Sequence, residues 1–157
     1  MKSLMVSLLL SFISFNLQAK TAKNAILFIG DGFGPSVLNA TRVHFYGKSS
    51  QLNLDKFPQT ARVKTYAADA IVTDSAAAGT AMATGVKTKN GVIGKNAQLE
   101  NVQNILDRAI KAGKKVGIVT STHIFHATPA SFFAHAVHRN NNEEMGRDIL
   151  KTKVDLI

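Results

Sequence analysis

The run IVTDSAAAGTA at 71–81 sets Ser75 directly after Asp74, between a β-branched stretch and Ala-rich residues that should open a helix. A hydroxyl in that position could become a nucleophile. A helix N-terminus carries partial positive charge and unpaired N–H groups, which would stabilise an alkoxide or a phosphate. Asp and Ser are also preferred N-cap residues, and taken alone the run favours a plain cap.

Other chemistry-bearing residues lie in similar surroundings. Asp31 stands in GDGFGPS, just after the apolar run AILFI at 25–29. The loop lacks the third glycine of a dinucleotide fingerprint, because Pro35 stands there, and a carboxylate facing a pyrophosphate would repel it. A carboxylate at that place suits Mg²⁺ or Zn²⁺; taken alone, an Asp bonded into a glycine turn also accounts for it and is the simpler reading. His126 and Thr128 stand two apart before Pro129. They read either as a loop histidine with a helix N-cap or as a mixed nitrogen–oxygen metal site. Arg139 is either a solvated cation near a helix C-terminus or a bidentate clamp on phosphate oxygens.

Elements that would position these residues follow from hydrophobic period and punctuation. AILFI at 25–29, VKTYA at 63–67 and VGIVT at 116–120 read as strands, the first and last of them buried. Helices are expected from Pro35 to about Tyr46 with Gly47 as stop, from Ser75 to about Thr84 ended by Gly85, and from Val102 to Ala112 before Gly113. Another should begin at Pro129, and a short one should run from Glu143 to about Leu150, after an Asn-rich break. Asn90-Gly91 suits a type I′ hairpin turn. The alternation implies βαβ units around a mostly parallel sheet. Such sheets place their sites beyond the carboxyl ends of the strands, which groups the loops carrying Asp31, Asp74–Ser75 and His126–Thr128.

The first 19 residues have a lone Lys2, an apolar stretch from about Leu4 to Phe15, and Ala19 before Lys20. This is the pattern of a cleaved signal peptide; the expected location is periplasmic or secreted, without stable membrane association after cleavage. There are no cysteines, so stability must come from packing or bound metal. The net charge is +9, with basic residues scattered and no interleaved aromatics. That is a solvated surface rather than a nucleic-acid stripe. VDLI at 154–157 looks like a core strand with nothing after it to cover it, and residues 20–157 are expected to be the first part of a longer single domain.

Three segments together resemble the N-terminal portion of an alkaline phosphatase: NAILFIGDGFG at 24–34, IVTDSAAAGTAMATGVKTKNGVIG at 71–94 and THIFHATPASFFAHAVHR at 122–139. The resemblance implies a three-layer α/β/α sandwich with a mostly parallel central sheet, incomplete in this chain. It implies two zinc ions and one magnesium, with phosphate monoesters as substrates, and it allows a homodimer in the full-length form without fixing the oligomeric state. By position, Asp31 would bridge the second zinc and the magnesium, Ser75 would be the zinc-bound nucleophile, and Thr128 would be a magnesium ligand. Arg139 would grip the substrate phosphate, oriented by Asp74, and His126 would hold magnesium indirectly. His135 matches a position outside the metal shell. The family's other zinc ligands would lie after Ile157, so the chain alone is expected to be inactive and poorly folded. The rival readings are a phosphodiesterase of the same superfamily and a non-catalytic remnant.

Overall fold

A computed structural model describes residues 22–47 and 51–157. The expected signal peptide lies outside the described residues. Two compact units divide at Gly30–Asp31. In the first, residues 24–30 form no helix or strand, and Ile26, Leu27 and Phe28 are exposed. The second, Asp31–Ile157, contains every residue singled out for chemistry.

Its helices form where local signals agree. Helix α1 (Pro35–Tyr46) has Pro at its start and Gly47, with φ of 76°, just past its end. Proline lacks the N–H that would be orphaned there, and glycine supplies the turn that follows. Helix α2 (Ser75–Thr84) is capped by the Asp74 carboxylate, which accepts from the Ala77 N–H, and closes on Gly85 in the left-handed region. Helix α3 (Ile105–Lys111) begins three residues later than the apolar period implied. The Asn104 side chain accepts from the Asp107 N–H and starts the helix there, while the Val102 N–H bonds to the Gly94 carbonyl.

Helix α4 (Ala127–Ala130) begins two residues before Pro129, so Thr128 lies inside it and is not its N-cap. Helix α5 (Asn142–Ile149) is capped by Asn141. A 3-10 turn at Asn53–Lys56 had no signal in the apolar pattern.

The expected strands do not join into a sheet among the described residues. Three isolated bridges occur instead: Gly117 with Leu156 in parallel, and Ile93 with Ala136 and Lys95 with Asn101 antiparallel. The first joins the VGIVT and VDLI runs, through Ile118 N–H to Leu156 carbonyl and Asp155 N–H to Val116 carbonyl. Elsewhere the runs expose apolar side chains: Val63 is 82% exposed and Val119 88%. A parallel strand is buried only when strands flank it and helices cover both faces.

The hairpin at Asn90-Gly91 is also not formed. Gly91 has φ of 81° while Asn90 does not have a positive φ, and the Val92 N–H bonds to the Lys89 carbonyl. That is a type II pattern rather than type I′, which needs both central residues at positive φ. Ile93 then pairs with Ala136.

The core is a cluster of Ala76, Ile93, Ala127, Ala130, Phe133, Ala134, Ala136 and Met145, with Ile118, Phe125 and Ile149 packed around it. Five of the eight residues of the cluster are alanine, so α2 and α4 approach closely.

Candidate active site

The approach of α2 to α4 is set by Gly79. A Cβ there would lie 2.7 Å from Ser131 Oγ, 3.1 Å from its Cβ and 3.6 Å from Thr128 Cα. Ala76, Ala77 and Ala83 are buried along the same helix. The Ala-rich stretch after Ser75 therefore supplies closeness as well as helix propensity. Thr80, fully buried, fixes a second neighbour: its hydroxyl accepts from the Gly94 N–H at 2.9 Å and donates to the Val92 carbonyl at 3.3 Å.

This packing brings Ser75, the first residue of α2, and Thr128, within α4, to one carboxylate. Asp31 accepts the Ser75 hydroxyl on Oδ1 at 2.9 Å and the Thr128 hydroxyl on Oδ2 at 2.6 Å. Asp31 leads a turn in which Gly32 has φ of 68°. The Thr128 hydroxyl is the largest influence holding the Asp31 carboxyl below its ordinary value. Partial burial opposes it, and the Ser75 hydroxyl and neighbouring His126 and Arg139 add to it.

His126 stands at the N-cap of α4 without capping it. Its Nδ1 is buried with no hydrogen-bond partner and lies 4.0 Å from Asp31 Oδ2, too far for a hydrogen bond. Its ring meets that of His123 edge-on at 5.7 Å. Two carboxylate oxygens, two hydroxyls and an orphaned imidazole nitrogen form a donor set that fits part of a metal shell, with the oxygens suited to magnesium and the mixed set to zinc. No group of three or more histidines and acids converges among the described residues.

Asp74 does two things. Its Oδ1 caps α2, and its Oδ2 accepts from Arg139 Nη1 at 3.1 Å and from the Gly91 N–H at 3.0 Å. The Arg139 main chain is tied to the same turn, its N–H bonding to the Gly91 carbonyl at 2.7 Å. Arg139 thus lines an open cavity of about 240 Å³ with His123, His126 and Asn140. One guanidinium edge is fixed by a carboxylate, and the planar fork has further N–H groups for an oxyanion. His135 stands apart from the cluster: its N–H bonds to the Asp148 carboxylate and its Nε2 to the Val102 carbonyl.

Motif reading found Asp31, Ser75, Thr128, Asp74, Arg139 and His126, and all six lie in this region. It missed Gly79, Ser131 and Asn90, whose work is to hold the others. The one available signal was the Asn-Gly pair, whose turn geometry alone says nothing of the side chain.

Comparison with known proteins gives the family. The family model for alkaline phosphatase matches residues 22–154. Alkaline phosphatase 4 of Drosophila melanogaster is 44% identical over 135 residues, covering 77% of this chain and 23% of that protein. The solved alkaline phosphatase of the Antarctic bacterium TAB5 superposes with a TM-score of 0.74 at 38% identity, covering 81% of this chain and 36% of its own. A His-to-Asp variant of the TAB5 enzyme, described with Mg bound in the M3 site, gives 0.69 at 36% identity, covering 75% of this chain and 34% of its own. The chain therefore spans between 23% and 36% of the length of these relatives. These relatives share an α/β fold, and on sequence and structure together the chain belongs to the alkaline phosphatase family.

Proposed function

We propose that this chain carries the nucleophile and phosphate-binding part of a phosphatase that hydrolyses phosphate monoesters through a phosphoserine at Ser75. The observation that carries this reading is the Asp31 carboxylate, which takes the Ser75 hydroxyl on one oxygen and the Thr128 hydroxyl on the other. Beside it, Arg139 is anchored to Asp74, the residue that precedes the nucleophile.

Arg139 draws two non-bridging oxygens of the substrate into its fork, which aims phosphorus at Ser75 Oγ. Ser75 gives up its hydroxyl proton to solvent as Oγ attacks phosphorus, the bond to the leaving alkoxide breaks, and the alkoxide takes up a proton as alcohol. Water then attacks the phosphoserine, the Ser75 Oγ–P bond breaks, Oγ regains a proton as the attacking water loses one, and inorganic phosphate leaves. Asp31 is a weak proton acceptor, because Thr128 and Ser75 hold its carboxyl low. Activation of Ser75 therefore rests on positive charge: the N-terminus of α2, whose dipole favours an alkoxide, and bound metal. Asp31, Ser75, Thr128 and His126 would hold zinc and magnesium, which when bound stabilise the attacking and leaving oxygens and supply hydroxide near neutral pH.

The chain supplies one carboxylate and one imidazole to that shell. Two zinc ions and one magnesium need more ligands than these, so the 157 residues alone are proposed to lack turnover. The sheet runs that remain exposed are proposed to belong to the central sheet of a three-layer sandwich. Residues 1–19 are proposed to direct export.

The test is zinc- and magnesium-dependent hydrolysis of aryl phosphate monoesters and diesters by the full gene product. Monoesters should be turned over far faster, and Ser75→Ala should abolish turnover. A wide preference for diesters would instead support the phosphodiesterase reading.

A further inference from the structure

Asn90 has no bond to Ser75, Asp31 or the Arg139 side chain, yet its carboxamide meets the backbone that leads to Ser75 at two points and its own N–H meets the Asp69 carboxylate. Its Oδ1 accepts from the Asp74 N–H at 2.8 Å, its Nδ2 donates to the Val72 carbonyl at 2.9 Å, and its own N–H donates to Asp69 Oδ1 at 2.9 Å. Val72 and Asp74 are two apart, so this carbonyl and this N–H face the same side of an extended segment. The carboxamide flanks Thr73 as a residue of a parallel neighbouring strand would. The next residue completes the link: the Gly91 N–H reaches Asp74 Oδ2 and its carbonyl receives the Arg139 N–H.

We propose that Asn90 is a positioning residue, which fixes the Asp74–Arg139 pair relative to Ser75 and acts on the substrate phosphate only through Arg139. This rests on the phosphatase reading. Asparagine is the side chain the position requires. It must donate and accept on one short planar group; Asp lacks the donor, and Gln is longer by a methylene. Without it, Asp74 keeps its cap to Ala77 but loses the side-chain bond at its own N–H, and the turn carrying Gly91 stays tied to residues 72–74 only through the Gly91 N–H bond to Asp74 Oδ2. Arg139 is held to that turn through both its main chain and its guanidinium, so it moves with it.

The test uses Asn90→Ala in the full, metal-loaded gene product. Nitrogen-15 signals of the Arg139 guanidinium, assigned by Arg139→Lys, should lose the dispersion of a fixed group and average. The inhibition constant of inorganic phosphate should rise about tenfold, as for one lost hydrogen bond to a charged group. In an Arg139→Ala background the same substitution should add nothing. Asn104→Ala, which removes the α3 cap, should lower Tm and leave both readings unchanged. Asn90→Asp keeps the shape and one acceptor, and carries the same measurements if the alanine variant does not fold. An unchanged Arg139 signal, or an equal effect with and without Arg139, overturns the proposal. If the wild type neither binds phosphate nor cleaves monoesters while the Arg139 signal still responds to Asn90, the positioning stands and the phosphatase reading fails.

Discussion

Gly79→Ala separates helix propensity from packing. In an exposed helix the change would stabilise by about 1 kcal/mol, because alanine loses less backbone freedom on folding. Here the added Cβ would lie 2.7 Å from Ser131 Oγ and 3.1 Å from Ser131 Cβ. The hydroxyl can turn away only by giving up its 2.8 Å bond to the Ala127 carbonyl, and rotation does nothing for the Cβ contact. Relief therefore requires α4 to move by roughly half an ångström towards ordinary contact distances. Overpacking of this kind costs about 1–3 kcal/mol, so packing wins and the net loss is about 1 kcal/mol.

In the full gene product that loss should be read as a lower Tm. Thr128 is on the displaced helix and bonds Asp31 at 2.6 Å, so magnesium affinity should fall as well. Ser131→Gly removes both offending atoms and should restore magnesium binding when combined with Gly79→Ala. Calorimetry for Tm and isothermal titration with Mg²⁺ make the check. A more stable Gly79→Ala protein with unchanged magnesium affinity would refute the claim that this contact seats Thr128.

Further outcomes follow from the same cluster. Because Thr128 and Ser75 hold the Asp31 carboxyl low, the stability from those bonds is fully present above the ordinary carboxylate range. It is lost as pH falls through the lowered folded value; a carbon-13 titration placing Asp31 above its ordinary value would contradict this. His126→Asp puts a second carboxylate where an orphaned Nδ1 lies 4.0 Å from Asp31, so magnesium should bind more tightly and the metal-free protein should be less stable. Unchanged or weaker binding by titration calorimetry would count against His126 as a metal neighbour. Asn104→Ala should cost about 1 kcal/mol through the lost α3 cap, read as a lower Tm with hydrolysis intact.

Helices with local punctuation were legible in the sequence. Pro35 and Gly47 bracket α1, and Asp74 and Gly85 bracket α2. The start of α3 was not legible, because Val102 continues the apolar period while the cap at Asn104 interrupts it. Strand pairing is decided by distant partners: Ile93 meets Ala136 rather than the far side of an Asn-Gly hairpin. Site residues were legible because their chemistry marks them. Their supports, Gly79 and Asn90, carry no such mark and emerge only from contacts made across the fold.

The central claim is that Ser75 takes the phosphoryl group. Incubating the metal-loaded full gene product with phosphorus-32-labelled monoester, quenching in acid and mapping the label by peptide mass spectrometry tests it directly. The account predicts phosphoserine at Ser75 and none in Ser75→Ala. Label on another residue, or monoester hydrolysis that persists in Ser75→Ala, would contradict it.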